Sequence, residues 1–222
     1  MSVNIAIDGP SGAGKSTLSD RLAAELGFLH LDTGALYRTV AVYFLKKKIP
    51  VSDKKAVLAA LPDIRVTLSY VNQKQHVFLN GEDVTDRIRT QEVSMAASAV
   101  SAVPEVRAFL LALQRDLAEK HDVIMDGRDI GTVILPNAQV KFFVTVSPEV
   151  RARRRFEELK AKGLEQDGAY ERILAEIIKR DRDDSSRAAC PLKPAADAVF
   201  LDNSYDFEAT VSEALQIIRS RI

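Results

Sequence analysis

The stretch Gly9-Pro10-Ser11-Gly12-Ala13-Gly14-Lys15-Ser16 has the spacing G-x-x-x-x-G-K-S, and it sits where such a loop must sit to function. Before it, Val3, Ile5, Ala6 and Ile7 form a short β-prone run. After it, Leu18, Leu22 and Leu26 recur on one face of a helix expected from Lys15, with Gly27 as its stop. A strand that feeds a glycine-rich turn into a helix N-terminus makes an anion cradle. The glycines let successive backbone N–H groups turn inward, and the helix end adds partial positive charge. Lys15 neutralises the outer phosphate oxygens, and the Ser16 hydroxyl can ligate Mg²⁺. Gly9, Pro10, Ser11, Gly12, Ala13, Gly14, Lys15, Ser16 and Thr17 are therefore the expected contacts of a nucleoside triphosphate such as ATP. Motors, GTPases, transporters and kinases share this loop, so alone it sets the fold and leaves the activity open.

Working outward, the chain alternates short apolar runs with amphipathic ones. Phe28 to Leu31 reads as a second strand ending at Asp32-Thr33-Gly34, and a helix from Ala35 carries Leu36, Val40 and Phe44. A stripe of Val106, Phe109, Leu110, Leu113 and Leu117 predicts a helix opened by Pro104. Val123-Ile124-Met125 and Val140 to Val146 read as buried strands. A charged helix follows from Pro148 to about Lys162, then a break from Gly163 to Gly168 and a second charged helix from about Tyr170 to Asp184. Ala198 to Leu201 is a last strand, and Phe207, Val211, Leu215 and Ile218 mark a final helix. The expected fold is α/β: a mainly parallel five-stranded sheet covered by helices on both faces. One segment breaks this rhythm. Ile64 to Val71 alternates apolar and polar residues, Val77-Phe78-Leu79 follows, and Asn80-Gly81 is a tight-turn pair, so a small antiparallel insert is expected at residues 63–100. The core is then residues 1–62 and 101–222.

Composition narrows the class. The chain has 222 residues, 46% hydrophobic and 28% charged, enough for a full core without staples. Its 31 basic residues balance its 31 acidic ones, which argues against binding nucleic acid through a broad positive field. The single cysteine, Cys190, suggests a reducing compartment. No apolar run approaches the roughly 20 residues that span a bilayer. A cytoplasmic protein that contacts no membrane is expected, and a monomer.

Absences and arginines narrow it further. No N-K-x-D tetrad for reading guanine is present, and Asp126 is followed by Gly127 and not by a second carboxylate of the kind ATP-hydrolysing motors use on water. Asp126 can still organise Mg²⁺ beside Ser16. Transfer of a phosphoryl group to an anionic acceptor needs cations on both sides of it, and arginine forks suit that task. Arg38, Arg107, Arg128, Arg180, Arg182 and Arg187 lie beside breaks and strand ends; any one alone reads as solvated surface, and their number is the signal. Arg151-Ala152-Arg153-Arg154-Arg155 reads as a solvated helix face or a lid hinge and not as a nucleic-acid patch, with Glu157 and Glu158 placed to pair with Arg153 and Arg154. His30, His76 and His121 lack a second ligand at metal spacing and read as surface or core histidines. On the residues alone, a kinase for CMP, UMP, shikimate or another small anion, and a nucleotide-switched binding protein, all remain open.

Five segments taken together carry a resemblance. The phosphate loop, Leu31 to Arg38 (LDTGALYR), Ile88 to Val93 (IRTQEV), Asp126 to Thr132 (DGRDIGT) and Arg187 with Pro191-Leu192 resemble the bacterial cytidylate kinases, in order and over essentially the whole chain. The resemblance implies a nucleoside monophosphate kinase that transfers the γ-phosphoryl of MgATP to CMP or dCMP. By similarity, Thr33 and Arg38 would hold the acceptor from the core side, and Ser98 and Arg107 would grip it from the insert side. Arg128 and Asp129 complete that pocket, with Asp129 accepting from the cytosine amino group or the sugar hydroxyls. Residues 163–187 resemble the family's lid, with Arg180, Asp184 and Arg187 closing over acceptor and phosphoryl. Lys15, Arg128 and Arg180 would act on the transferred group, and Arg154 would contact ATP.

Overall fold

A computed structural model describes residues 2–164 and 168–222. Residues 165–167, within the expected break and lid, and Met1 lie outside the described residues.

Five parallel strands form the main sheet: β1 (Asn4–Asp8), β2 (Leu29–Asp32), β6 (Val123–Gly127), β7 (Val140–Thr145) and β8 (Val199–Asp202), in the order β2-β6-β1-β7-β8. Parity along β1 splits the core between two faces. Ile5 and Ile7 point to a cluster with Leu18 and Leu22 of α1 (Lys15–Leu26) and Val211 and Ile218 of α8 (Phe207–Arg219). Ala6 points to the other cluster, with Leu36, Val40 and Phe44 of α2 (Thr33–Lys46) and Val106 and Leu110 of α5 (Pro104–Lys120). Both faces are thus covered, which explains why the strands read as continuous apolar runs.

The register sets the site. Asp32 lies opposite Asp126, and Asp8 opposite Gly127, so three neighbouring strands end level at one edge of the sheet. Ligands of open α/β sheets collect at this carboxyl edge.

The second sheet is antiparallel, β3 (Val66–Val71), β4 (Lys74–Leu79) and β5 (Glu82–Asp83). Asn80-Gly81 joins β4 to β5 with both residues at positive φ, and Asn72-Gln73 does the same between β3 and β4. Its buried Val66, Val77 and Leu79 belong to the same apolar cluster as α2. Gln75 of β4 fastens it further, accepting from the Asp32 N–H at 2.8 Å and donating to the Asp32 carbonyl at 3.3 Å.

Two helices escaped the sequence reading. α4 (Gln91–Ser101) packs Val93, Ala97 and Val100 on α2, at helical spacing inside the segment expected to be antiparallel strands. Thr90 caps it by accepting from the Val93 N–H at 3.2 Å, a signal that was there to be used. α3 (Lys54–Ala60) is short, with Asp53 as its cap. α2 begins at Thr33 and not Ala35 because the Asp32 side chain accepts from the Ala35 N–H at 3.1 Å. After β6 the chain makes a π-helical turn, Ile130–Ile134, also unforeseen. Two long helices complete the fold, α6 (Pro148–Ala161) and α7 (Ala169–Ser186). Among the described residues no single helix is long and apolar enough to cross a membrane.

Candidate active site

The phosphate loop joins β1 to α1. Its glycines are required by space as well as by torsion: a Cβ on Gly9, at φ +149°, would lie 2.4 Å from the Val144 carbonyl oxygen, and one on Gly14, at φ +83°, 2.4 Å from Asn203 Nδ2. Three side chains take the loop's carbonyls. Lys15 Nζ donates to Pro10 at 2.8 Å, Arg151 to Ser11 at 2.9 Å and Asn203 Nδ2 to Ala13 at 2.9 Å. Carbonyls held outward leave the N–H side of the loop and the α1 N-terminus for a polyanion. Lys15 is buried, and burial followed by the nearby Arg128 pushes its ammonium down to about 7. It is a charge kept out of water and waiting for a counterion.

Behind the loop, Asp126 is buried at the end of β6. Ser16 Oγ donates to its Oδ2 at 2.7 Å, His30 Nε2 lies 3.1 Å from Oδ1, and His30 Nδ1 lies 2.6 Å from Asp20. Although burial works against the charge, Asp126 and Asp20 push the imidazole up to about 10. Burial likewise opposes ionisation of Asp126, yet His30 and then Lys15 hold its carboxyl below the ordinary aspartate range. His30 is thus a core histidine that locks an acid; its contact with Asp126 spans 96 residues of chain, beyond any local pattern. One hydroxyl and one carboxylate suit Mg²⁺, which keeps several waters and takes its other ligands from phosphates. Ser16 and Asp126 therefore fit that ion, and among the described residues no group of three or more His, Cys, Asp or Glu could hold a metal without substrate.

Asp8 closes the strand-end edge. Its carboxylate accepts from the Ile130 and Gly131 N–H groups at 2.7 and 2.8 Å, fixing the turn after Asp129. Burial pushes its carboxyl up to about 6, against those two bonds. A raised carboxyl contributes stability that is complete below its ordinary value of 3.8 and lost as the pH rises through about 6. Asp8→Asn has no such titration. Calorimetry should therefore show the melting temperature of the wild type falling relative to that of the variant between those limits. A constant gap would mean that Asp8 does not titrate there.

The arginines form a row of alternating charge. Arg107, buried on α5, donates to Asp129 Oδ2 and, at 3.1 Å, to the Ser101 carbonyl, with its guanidinium 5.4 Å from the Tyr37 ring centroid. Asp129 Oδ1 is 4.0 Å from Arg187, which lies 3.8 Å from Asp184. Asp184 in turn accepts from Arg128 Nε at 2.9 Å. Arg107, Asp129, Arg187, Asp184 and Arg128 thus run plus, minus, plus, minus, plus from α5 across the turn after β6 to the end of α7. Burial, and then Arg128, disfavours the charged form of Arg180, whose Nε is buried with no partner among the described residues. Thr33 donates to the Asp126 carbonyl at 2.8 Å, and Arg38 to Asp32 at 3.2 Å.

One cleft of about 560 Å³ gathers most of these groups. Ser11, Gly12, Gly14, Lys15, Ser16 and Thr17 line one end. Thr33, Arg38, Ser98, Arg107, Arg128 and Asp129 line the rest of it with Arg180, Asp184 and Arg187, and Asp126 lies against Ser16 at the loop. Gly9, Pro10 and Ala13 support the loop without lining the cleft. Arg154 is not brought there either; it donates to the Asn203 and Ser204 carbonyls at 2.7 and 3.1 Å. The sequence missed Arg89, Tyr37 and Glu158, which also line the cleft. The reading of 151–155 needs correction. Arg151 is 3% exposed and not part of a solvated face, and Glu158 pairs with Arg155 and Lys162, at 2.6 Å each, and not with Arg154.

Comparison with known proteins bears on this geometry. The family model for cytidylate kinase matches residues 5–220. The cytidylate kinase of Caldicellulosiruptor bescii is 49% identical over 216 residues, 97% of this chain and 95% of its own. That of Pelotomaculum thermopropionicum is 48% identical over 221 residues, 99% and 95%. A gluconokinase from Sinorhizobium meliloti 1021 shares the fold, with a TM-score of 0.50 at 15% identity, covering 99% of this chain and 93% of its own. With a family match over nearly its full length and relatives near half identical across that same span, the chain belongs to the cytidylate kinase family.

Proposed function

We propose that the enzyme transfers the γ-phosphoryl group of MgATP to CMP or dCMP, giving ADP and CDP or dCDP. The observation that carries this reading is that one cleft joins a phosphate loop to a row of buried, alternating charges about an acceptor-sized space. Donor and acceptor are both polyanions. Lys15 and the loop amides neutralise one, and Arg38, Arg107, Arg128 and Arg187 the other. Ser16 and Asp126 would hold Mg²⁺, which would supply charge neutralisation on the phosphate oxygens. Arg180, half-buried and with an Nε that has no partner among the described residues, lines the same cleft and meets the charge that spreads over the transferred group. Catalysis comes from positioning and charge, with no general base required of the chain. Asp129 and Asp184 are the acceptors on hand for an amino group or sugar hydroxyls, and a cytosine N4 amino donor satisfies such a carboxylate where the uracil O4 does not. The same reading takes the enzyme as a cytoplasmic monomer.

A coupled assay of ADP release with CMP, dCMP, UMP and AMP tests the whole. CMP and dCMP should each raise the rate far above ATP alone, UMP less and AMP little. If no monophosphate stimulates ADP release, the reading fails.

A further inference from the structure

Arg151 stands out once the cleft has been accounted for, because it is buried, fully engaged and absent from the cleft lining. It lies in the first turn of α6, and its guanidinium joins three separate parts of the chain. Nε donates to the Val146 carbonyl at 3.0 Å, at the exit of β7. One terminal nitrogen donates to the Ser11 carbonyl at 2.9 Å, in the phosphate loop, and to Asp181 Oδ1 at 3.0 Å; the other donates to Asp181 Oδ2. Asp181 is on α7, next in sequence to Arg180 and one turn before Asp184. The stem of Arg151 also packs under the loop, within 3.7 Å of where a Gly12 Cβ would stand. Elsewhere α7 meets α6 through softer contacts, Tyr170 against Phe156 and under Arg153.

We propose that Arg151 and Asp181 are a positioning pair for phosphoryl transfer, setting the register of α7, and so of Arg180 and Asp184, against the phosphate loop. The inference rests on the transfer reaction proposed above. A bidentate fork has one geometry, so the α7 residue that carries Asp181 is referenced directly to the carbonyl of Ser11. A lysine would offer one nitrogen and could not hold both carboxylate oxygens, the loop and the strand exit together. Neither residue touches substrate in this scheme. Each acts through the placement of others.

Asp181→Asn keeps the shape, one acceptor and the Arg151 bonds to Ser11 and Val146, but removes the charge and the second acceptor. The expected result is a fall of about 100-fold in kcat, the size of a misplacement near 1 Å, with the KM values for ATP and CMP within about threefold of the wild type. Two results overturn the proposal: kcat per folded molecule unchanged, whatever the melting temperature, or a rise in the KM for ATP that matches the fall in kcat, which would assign Arg151 to the loop alone. Should the variant fail to fold, hydrogen exchange on the wild type decides. A non-hydrolysable ATP analogue without CMP should slow exchange across residues 180–187, and no change there overturns the coupling. Because wild-type turnover with CMP is measured alongside, its absence would count against the kinase reading and not against this pair.

Discussion

Lys15→Met should lower kcat about 10³-fold with CMP as acceptor while leaving the protein folded. A buried donor aimed at developing charge is commonly worth 10²–10³ in rate, and an ammonium in a dry cleft sits at the upper end of that range. The fold should tolerate the change because methionine keeps an unbranched stem of similar length. Burial already disfavours the charged form of Lys15, so the neutral side chain removes a cost of the empty site. The one bond lost is that to the Pro10 carbonyl. Coupled kinetics and a melting curve check both halves, and a kcat within tenfold of the wild type would show that Lys15 is not the main charge on the transferred group.

Arg128→Ala should act at the other end of the cleft. Arg128 holds Asp184 through Nε and adds its own charge to the acceptor side. Removing it leaves Asp184 buried with Arg187 at 3.8 Å and the charge of Arg180 nearby, and losing one member of a buried pair costs up to about 3–5 kcal/mol where no relaxation occurs. Asp184 lies in the last turn of α7 and lines the cleft, so part of that cost should appear as a disordered acceptor pocket. kcat/KM for CMP should fall about 10²–10³-fold, the loss typical of one charge-stabilising donor. Binding of a non-hydrolysable ATP analogue, followed by calorimetry, should stay within about threefold, since the loop amides and Lys15 do not depend on Arg128. Its loss also relieves the repulsion that helps to hold Lys15 down. An equal loss of donor and acceptor binding would contradict the division of the cleft into two ends.

How far the sequence could be read follows from the range of each signal. The loop and the five parallel strands are local: a spacing, an apolar run, a glycine stop. Asn80-Gly81 marked a hairpin for the same reason, since two residues at positive φ suffice to write it. α4 was missed although Val93, Ala97 and Val100 recur at helical spacing behind the Thr90 cap, because the strand pattern of 64–79 was extended over the whole of 63–100. The arginines were visible as a set, but which carboxylate each would meet was not. Arg107 and Asp129 are 22 residues apart, and Arg128 and Asp184 are 56. Arg151 was misjudged for a related reason. Its charge looked like surface among four other basic or small neighbours, and only the approach of Asp181 and the Ser11 carbonyl makes burial of that charge affordable. His30 is the same case, its meaning supplied by Asp126 on the next strand.

The alternating row has a consequence for what the empty cleft will accept. Each arginine in that row already leans on a carboxylate, so the acceptor side of the cleft is closed to simple anions. Inorganic phosphate could displace Asp129 or Asp184 from an arginine, but it would leave that carboxylate stranded in a dry site. A ligand that brings both an anion and hydrogen-bond donors can swap places with the carboxylates and then satisfy them in turn. Entry is therefore an exchange of partners, and it filters by the whole pattern of donors and acceptors on the guest. A protein with no net charge can in this way keep a strongly cationic cleft in a cell full of phosphate without being poisoned by it.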